Sequence, residues 1–257
     1  MIKKIKTDMH THTIASGDSY STLLENIKAA KKNGIEAIAI TEHGPATHGS
    51  ANPRYFMNYK TIPRIIDDVL VFFGVELNVI NFQGEVDLSN NMLSRLDFVL
   101  AGFHTNIIKP GTLNEHTEAW LNVIDNPYID CLAHPGRNDY EFDLPTILDA
   151  CKDHNVAIEV NSKSLGKYAN RPRCEDIIEG CKLRGVPIMI NSGAHFAYHI
   201  GQNQNAIDFL NSLDFPEELI INRNVDSLVV WLANRKLWKS DLQELAENCQ
   251  KRVKVAK

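Results

Sequence analysis

Residues Gly34–His43 read GIEAIAITEH. From Gly34 to Thr41 the stretch is almost uniformly apolar, with no alternation of polar and apolar positions. That is the pattern of a parallel strand covered on both faces. It ends on chemistry, because Glu42 and His43 follow directly. A segment with helical spacing precedes it. This segment opens at Thr22, where Thr-Leu-Leu-Glu has capping-box spacing, and stops at Asn33-Gly34. The unit, an apolar run followed by a polar cluster and a helical pattern, recurs along the chain.

The apolar runs Ile2–Thr7, Ala37–Ile40, Val69–Val75, Phe98–Ala101, Ile129–Ala133, Ala157–Val160 and Pro187–Ile190 are expected strands. Helical spacing covers Asn114–Asp125, Leu144–His154 and Arg173–Arg184. The segment ELIINR (Glu218–Arg223) is a candidate eighth strand, and Val225–Asn234 and Asp241–Val253 are expected closing helices. Alternating β and α elements imply parallel strands joined by right-handed crossovers. No G-x-G-x-x-G or G-x-x-x-x-G-K-[ST] follows the first strand, which argues against a nucleotide-binding open sheet. The expectation is an α/β chain whose residues 1–257 form one barrel domain, closed by helices at about 225–253.

Composition narrows the function. Hydrophobic content of 44% and charged content of 23% are globular values. A net charge of −5 and a pI near 6.1 argue against a general nucleic-acid binder. No apolar run approaches the ~20 residues of a membrane span. The start MIKKIKTDMH has no apolar segment behind its lysines, so no secretory signal is expected there. Five cysteines, odd in number and without a C-x-x-C pair, read as reduced packing residues of a cytoplasmic protein.

The expected strands end in DMHTH, TEHG, GVELN, AGFHT, LAHPG, EVNSK and NSGAH. Six of the ten histidines (His10, His12, His43, His104, His134 and His195) fall in these clusters. A glutamate, Glu76, supplies a further end, and the EVNSK end carries Glu159 and Asn161. In a parallel barrel all carboxyl ends open on one face, so these side chains converge on one pit. Imidazoles gathered with a carboxylate are the donor set of a divalent metal site. His10 and His12, two apart on a strand, point to the same side and can chelate one ion. His48, His116, His154 and His199 fall in loops or helices and read as ordinary polar residues.

The motifs DMHTHTIASGDSYSTL, AITEHGP, GVELNV, AGFH, AHPGR and SGAH, in this order, resemble the polymerase and histidinol phosphatase (PHP) domain family, closest to its small stand-alone bacterial phosphatases. The resemblance implies a distorted (β/α)7 TIM-like barrel with two to three divalent ions (Zn, Mn or Fe) in a pit at the carboxyl ends of the strands. It implies one site on His10, His12 and Glu76, and a second on Glu76, His104 and His134. The third would use His43 and His195 with Asp18, which stands where the family commonly has a histidine. Gly193 stands where the family usually has an aspartate, and Glu42 where it usually has one before the histidine.

The chemistry implied is hydrolysis of a small phosphorylated metabolite, a phosphate monoester, by a metal-bound hydroxide. Arg137 and Lys163 are the candidate phosphate-binding cations. Tyr20 and the loop His43–Phe56 are read as rim, the loop as a lid. Two alternatives stand beside this reading. One is a metal-binding PHP domain with little or no turnover, because Gly193 removes a carboxylate. The other is an amidohydrolase-type barrel, which also opens with H-x-H but carries a strand-four lysine and a last-strand aspartate, neither of which is found here.

Overall fold

The structure is a computed structural model that describes residues 1–166 and 170–255. Its strands are β1 (Thr7–Thr11), β2 (Ala37–Ile40), β3 (Ile65–Ile66), β4 (Val69–Asn78), β5 (Phe98–Gly102), β6 (Cys131–Leu132), β7 (Ala157–Asn161) and β8 (Ile188–Asn191). The helices are α1 (Leu23–Asn33), α2 (Pro53–Met57), α3 (Asn90–Leu93), α4 (Leu113–Asp125), α5 (Leu144–Asp153), α6 (Ser162–Leu165), α7 (Arg171–Arg184), α8 (Gln204–Ser212), α9 (Val225–Arg235) and α10 (Ser240–Val255). Seven strands pair in parallel in the order β1-β2-β4-β5-β6-β7-β8, and β3 is a short antiparallel addition to β4. The result is a nearly closed α/β barrel ringed by helices.

On β2, small residues face into the barrel and branched ones face out. Ala37 and Ala39 join Met9, Phe72, Phe98, Leu100, Ala133 and Met189 in the interior, while Ile38 and Ile40 pack outward with α1 residues such as Ile27 and Ala30. Leu228, Trp231 and Leu232 of α9 and Leu242 of α10 complete the interior cluster at the amino-terminal end. Helix starts are set locally. Thr22 and Glu25 form the expected capping box on α1, and Gly34 ends that helix in the left-handed region at φ 68°. Thr112 and Glu115 repeat the box on α4.

Two expectations are corrected. The first strand is Thr7–Thr11, not Ile2–Thr7. Ile2 and Ile5 pack in the outer core, whereas the polar stretch pairs with β2 because its own side chains find partners. Thr7 Oγ1 donates to Asn222 O, and Thr11 Oγ1 to Ala39 O. A bulge between Asp8 and Thr11 disturbs the alternation, so that Met9 joins the barrel interior while His10 still reaches the pit.

The segment ELIINR is not a strand. It forms two 3-10 turns with a single bridge, Ile188 to Ile220. The amide of Asn222 does the pairing instead, accepting from Ile190 N at 2.9 Å and donating to Ile190 O at 2.7 Å. Side chains also close the seam between β8 and β1. Asn191 Oδ1 accepts from Met9 N, Asp8 Oδ1 accepts from Ser192 N, and one bridge joins Thr11 to Ala194.

Below the barrel, two aspartates that precede strands hold the closing helices. Asp130 accepts from Val99 N at 2.8 Å and pairs with Arg235 and the fully buried Lys236 at 3.1 and 2.9 Å. Asp97 accepts from Phe73 N and pairs with Lys239 and Arg64. The α9–α10 pair is therefore pinned electrostatically as well as by apolar contact, leaving the carboxyl face of the barrel open.

Candidate metal centre

On that face a cavity of about 210 Å³ is lined by His10, Asp18, His43, Thr47, Glu76, His104, Asn106, Arg137, Asn161, Lys163, Gly193 and His195. Glu76, fully buried near the end of β4, is its centre. Its Oε2 lies 3.2 Å from His10 Nε2, 3.4 Å from His12 Nε2 and 2.8 Å from His43 Nδ1. Its Oε1 lies 3.3 Å from His104 Nε2 and 2.7 Å from His134 Nε2. At the rim the half-exposed Asp18 lies 3.4 Å from His43 Nε2 and 3.3 Å from His195 Nε2. All eight residues expected from the sequence are thus brought together. His116 is a structural residue, accepting from Gly111 N at Nε2 and donating from Nδ1 to Glu141 O.

The hydrogen bonds outside the cavity decide what the rings present to it. Nδ1 of His10 faces the Glu159 carboxylate at 2.6 Å, and Nδ1 of His195 faces Gly193 O at 2.9 Å. Nδ1 of His104 faces Asn78 Oδ1 at 2.8 Å, the amide being oriented by its Nδ2 bond to Asp87. Nδ1 of His12 faces Ser16 Oγ at 2.9 Å, whose own hydrogen goes to Glu42. Each partner accepts, so each Nδ1 carries a hydrogen, and in the neutral ring Nε2 is left to turn its lone pair toward the cavity. This is the tautomer a metal ligand needs.

The donors fit divalent ions on a second count. Glu76 Oε2, His43 Nδ1 and His104 Nε2 are buried and, although they lie close to one another, make no well-aligned hydrogen bond among the described residues. Buried polar atoms left unmatched are costly unless an ion meets them. Three trios (His10, His12, Glu76; His43, Glu76, His104; His12, His43, His195) each hold their ligand atoms within 4.8 Å of one another.

The electrostatics make the same demand for positive charge. Burial acts to lower the His10 pKa, but the Glu159 and Glu76 charges override it and push it up to about 10. His43 is likewise pushed up to about 9 against its burial, chiefly by Glu76. His134 goes the other way, down to about 3, through burial and the neighbouring Arg137 charge. Burial would raise the Glu76 carboxyl, yet the His10, His43 and His104 charges hold it well below the usual range.

Arg137 and Lys163 both line the cavity, Arg137 after a turn closed by its N–H to His134 O at 3.1 Å. The Tyr20 side chain is exposed and does not line it, although its N–H donates to His195 O. The loop after His43 is not a free lid. Asp87 accepts from Ala46 N, Ser50 Oγ donates to His43 O, and Gly49 packs against Gly17 so closely that a Cβ on Gly17 would lie 2.5 Å from the Gly49 carbonyl carbon. Glu42 stays out of the cavity, accepting from Thr13, Ser16 and Tyr55. The orienting roles of Glu159, Asn78 and Ser16, and the wall residues Thr47 and Asn106, were not assigned from the sequence. Only Glu159 carried a signal, as a carboxylate at a strand end.

A family model for the PHP domain matches residues 8–163. A probable phosphatase of Clostridium novyi is 39% identical over 234 residues, covering 90% of this chain and 96% of its own. Another, of Caldicellulosiruptor saccharolyticus, is 41% identical over 229 residues, covering 89% and 96%. Among solved structures, histidinol phosphate phosphatase from Lactococcus lactis, complexed with zinc, L-histidinol and phosphate, aligns with a TM-score of 0.60 at 20% identity. That alignment covers 83% of this chain and 95% of the other, a likeness of fold. With a matching model across more than half its length and relatives of this identity, the chain belongs to the PHP domain family.

Proposed function

We propose that the protein is a metal-dependent phosphatase that hydrolyses a small phosphate monoester. The observation that carries this reading is the ring of histidine nitrogens around Glu76, with unmatched lone pairs turned into a cavity that Arg137 and Lys163 also line. Kinship with probable phosphatases supports it.

His10, His12 and Glu76 would hold one ion, Glu76, His104 and His134 a second, and His43, His195 and Asp18 a third. Zn, Mn and Fe all suit this donor set. Bound there, divalent ions lower the pKa of water and offset charge on a phosphoryl group. The protein's own part is to place and to hold. Glu76 offers one oxygen to each side of the pit and joins the ligand sets. Glu159, Ser16 and Asn78 keep the imidazoles in the ion-facing tautomer. Arg137 and Lys163 bind phosphoryl oxygens, Arg137 through a planar fork suited to two of them.

A second reading, a metal-binding domain without turnover, draws on Gly193, which offers no carboxylate to the His10–His12 side. One experiment separates the two: ion content by plasma mass spectrometry on untagged protein, with turnover of 4-nitrophenyl phosphate in added Mn²⁺ or Zn²⁺. Two or more ions per chain with turnover is the expected result. Ions without turnover would favour the second reading. Less than about half an ion after reconstitution would overturn both, given the several complete donor sets in the pit.

A further inference from the structure

The amide of Asn161 has a capacity that ion binding does not use. Asn161 ends β7 and caps α6, its Oδ1 accepting from Ser164 N at 3.0 Å and Ser164 Oγ at 3.2 Å. Those two donors settle which end of the amide is oxygen, so Nδ2 points away from α6. There one hydrogen reaches Glu159 Oε2 at 3.3 Å, and the second has no acceptor among the described residues. The residue is only 4% exposed, and it lines the cavity beside His10, Gly193 and His195 as well as a smaller pocket shared with Ser164 and Ile177.

Gly193 makes room for this group. Its φ of 60° is a left-handed conformation, its carbonyl accepts from His195 Nδ1, and a Cβ added there would lie 2.6 Å from Asn161 Nδ2. The wall between β7 and β8 therefore carries a neutral N–H donor in the space a side chain at 193 would need.

We infer that Asn161 is a substrate-contacting residue whose second Nδ2 hydrogen donates to an oxygen of the phosphoryl group. The inference rests on the phosphatase reading above. A buried donor facing a doubly charged phosphate forms a charge-assisted bond, whereas a carboxylate in that place would repel it. The ligand chemistry is a terminal phosphoryl group with several free oxygens, as in a monoester or orthophosphate.

The test uses metal-reconstituted protein and orthophosphate as the probe. Calorimetry gives phosphate affinity, plasma mass spectrometry gives ion content, and 4-nitrophenyl phosphate gives KM and kcat for the parent, Asn161→Ser and Asn161→Asp. Serine and aspartate both cap helices well, so α6 keeps its start in either variant. Both are expected to retain the parent's ions. Phosphate affinity falls about tenfold in Asn161→Ser, the size of one hydrogen bond to a charged group, and further in Asn161→Asp. KM rises more than kcat falls. Unchanged phosphate affinity in Asn161→Ser would overturn the assignment. So would a loss that only tracks missing ions, which would make Asn161 a support for Glu159. A parent that takes up ions and binds phosphate but hydrolyses no ester would overturn the phosphatase reading instead, and phosphate affinity would still decide Asn161.

Discussion

Nδ1 of His10 lies 2.6 Å from Oε1 of Glu159, a carboxylate wholly removed from solvent. The same carboxylate accepts from Asn191 Nδ2 at 3.0 Å and from His134 N at 2.8 Å, so one group behind the pit ties β1 and β8 to the turn after β6. It fixes the face of the His10 ring that meets an ion, and its charge raises the basicity of that ring. Glu159→Gln keeps the volume and removes the charge. Ion affinity, measured by competition with a chelator, is expected to fall about 10- to 100-fold in this variant, with the far-ultraviolet dichroism unchanged. An unaltered affinity would show that the tautomer is set elsewhere.

Restoring the family's aspartate at position 193 is expected to harm the protein. The φ of 60° at Gly193 disfavours any residue with a Cβ, by about 1–2 kcal/mol. The Cβ would also meet Asn161 Nδ2 at 2.6 Å, so that the Asn161 amide would have to shift. Gly193→Asp should lower both Tm and turnover. A rise in ion content together with a rise in kcat would contradict this.

Chelator-treated protein should have a narrow pH range of stability. His10 and His43 titrate at about 10 and about 9 in the folded chain, against an ordinary 6.5. Protonated groups with raised values stabilise fully below pH 6.5 and lose that contribution as pH rises through 9 to 10. His134, depressed to about 3, contributes above 6.5 and loses its contribution as pH falls toward 3. The Tm of chelated protein should therefore decline from neutral pH toward 10. Ions that replace those protons should flatten that limb and release protons on binding. A chelated protein equally stable at pH 6.5 and 9.5 would refute this.

The donor set was legible in the sequence because barrel geometry sends every strand's carboxyl end to one face, so His10, His12, His43, Glu76, His104, His134 and His195 needed only their strands to be found. The supports were not. Ser16 and Asn78 look like ordinary loop or strand residues, and Glu159, visible as a carboxylate at a strand end, gives no sign in the sequence of which ring it orients. Local pattern also misled where side chains stand in for backbone. Ile2–Thr7 is the more apolar run, but pairing belongs to Thr7–Thr11. The apolar Ile220 and Ile221 suggested a strand where the Asn222 amide supplies the hydrogen bonds. Helix α8 packs Ala206, Ile207, Phe209 and Leu210 inward, but polar flanks rich in asparagine and glutamine masked its period.

A buried ion pair sits at the opposite end of the barrel. Lys236 is fully buried against Asp130, and its burial pushes its pKa down even though the aspartate opposes the shift. Asp130 also receives Arg235 Nε and the Val99 N–H, so it joins α9 to the start of β5. Removing one partner of such a pair leaves an uncompensated buried charge, which costs about 3–5 kcal/mol. Asp130→Ala should therefore destabilise by about that amount, and Lys236→Met should cost less than Asp130→Ala, because Arg235 still partners the carboxylate. Denaturant unfolding gives both values. Since this cluster lies across the barrel from Glu76, ion content and KM of whatever protein remains folded should match the parent. Loss of ions in Lys236→Met at full secondary structure would mean that the two ends of the barrel are coupled.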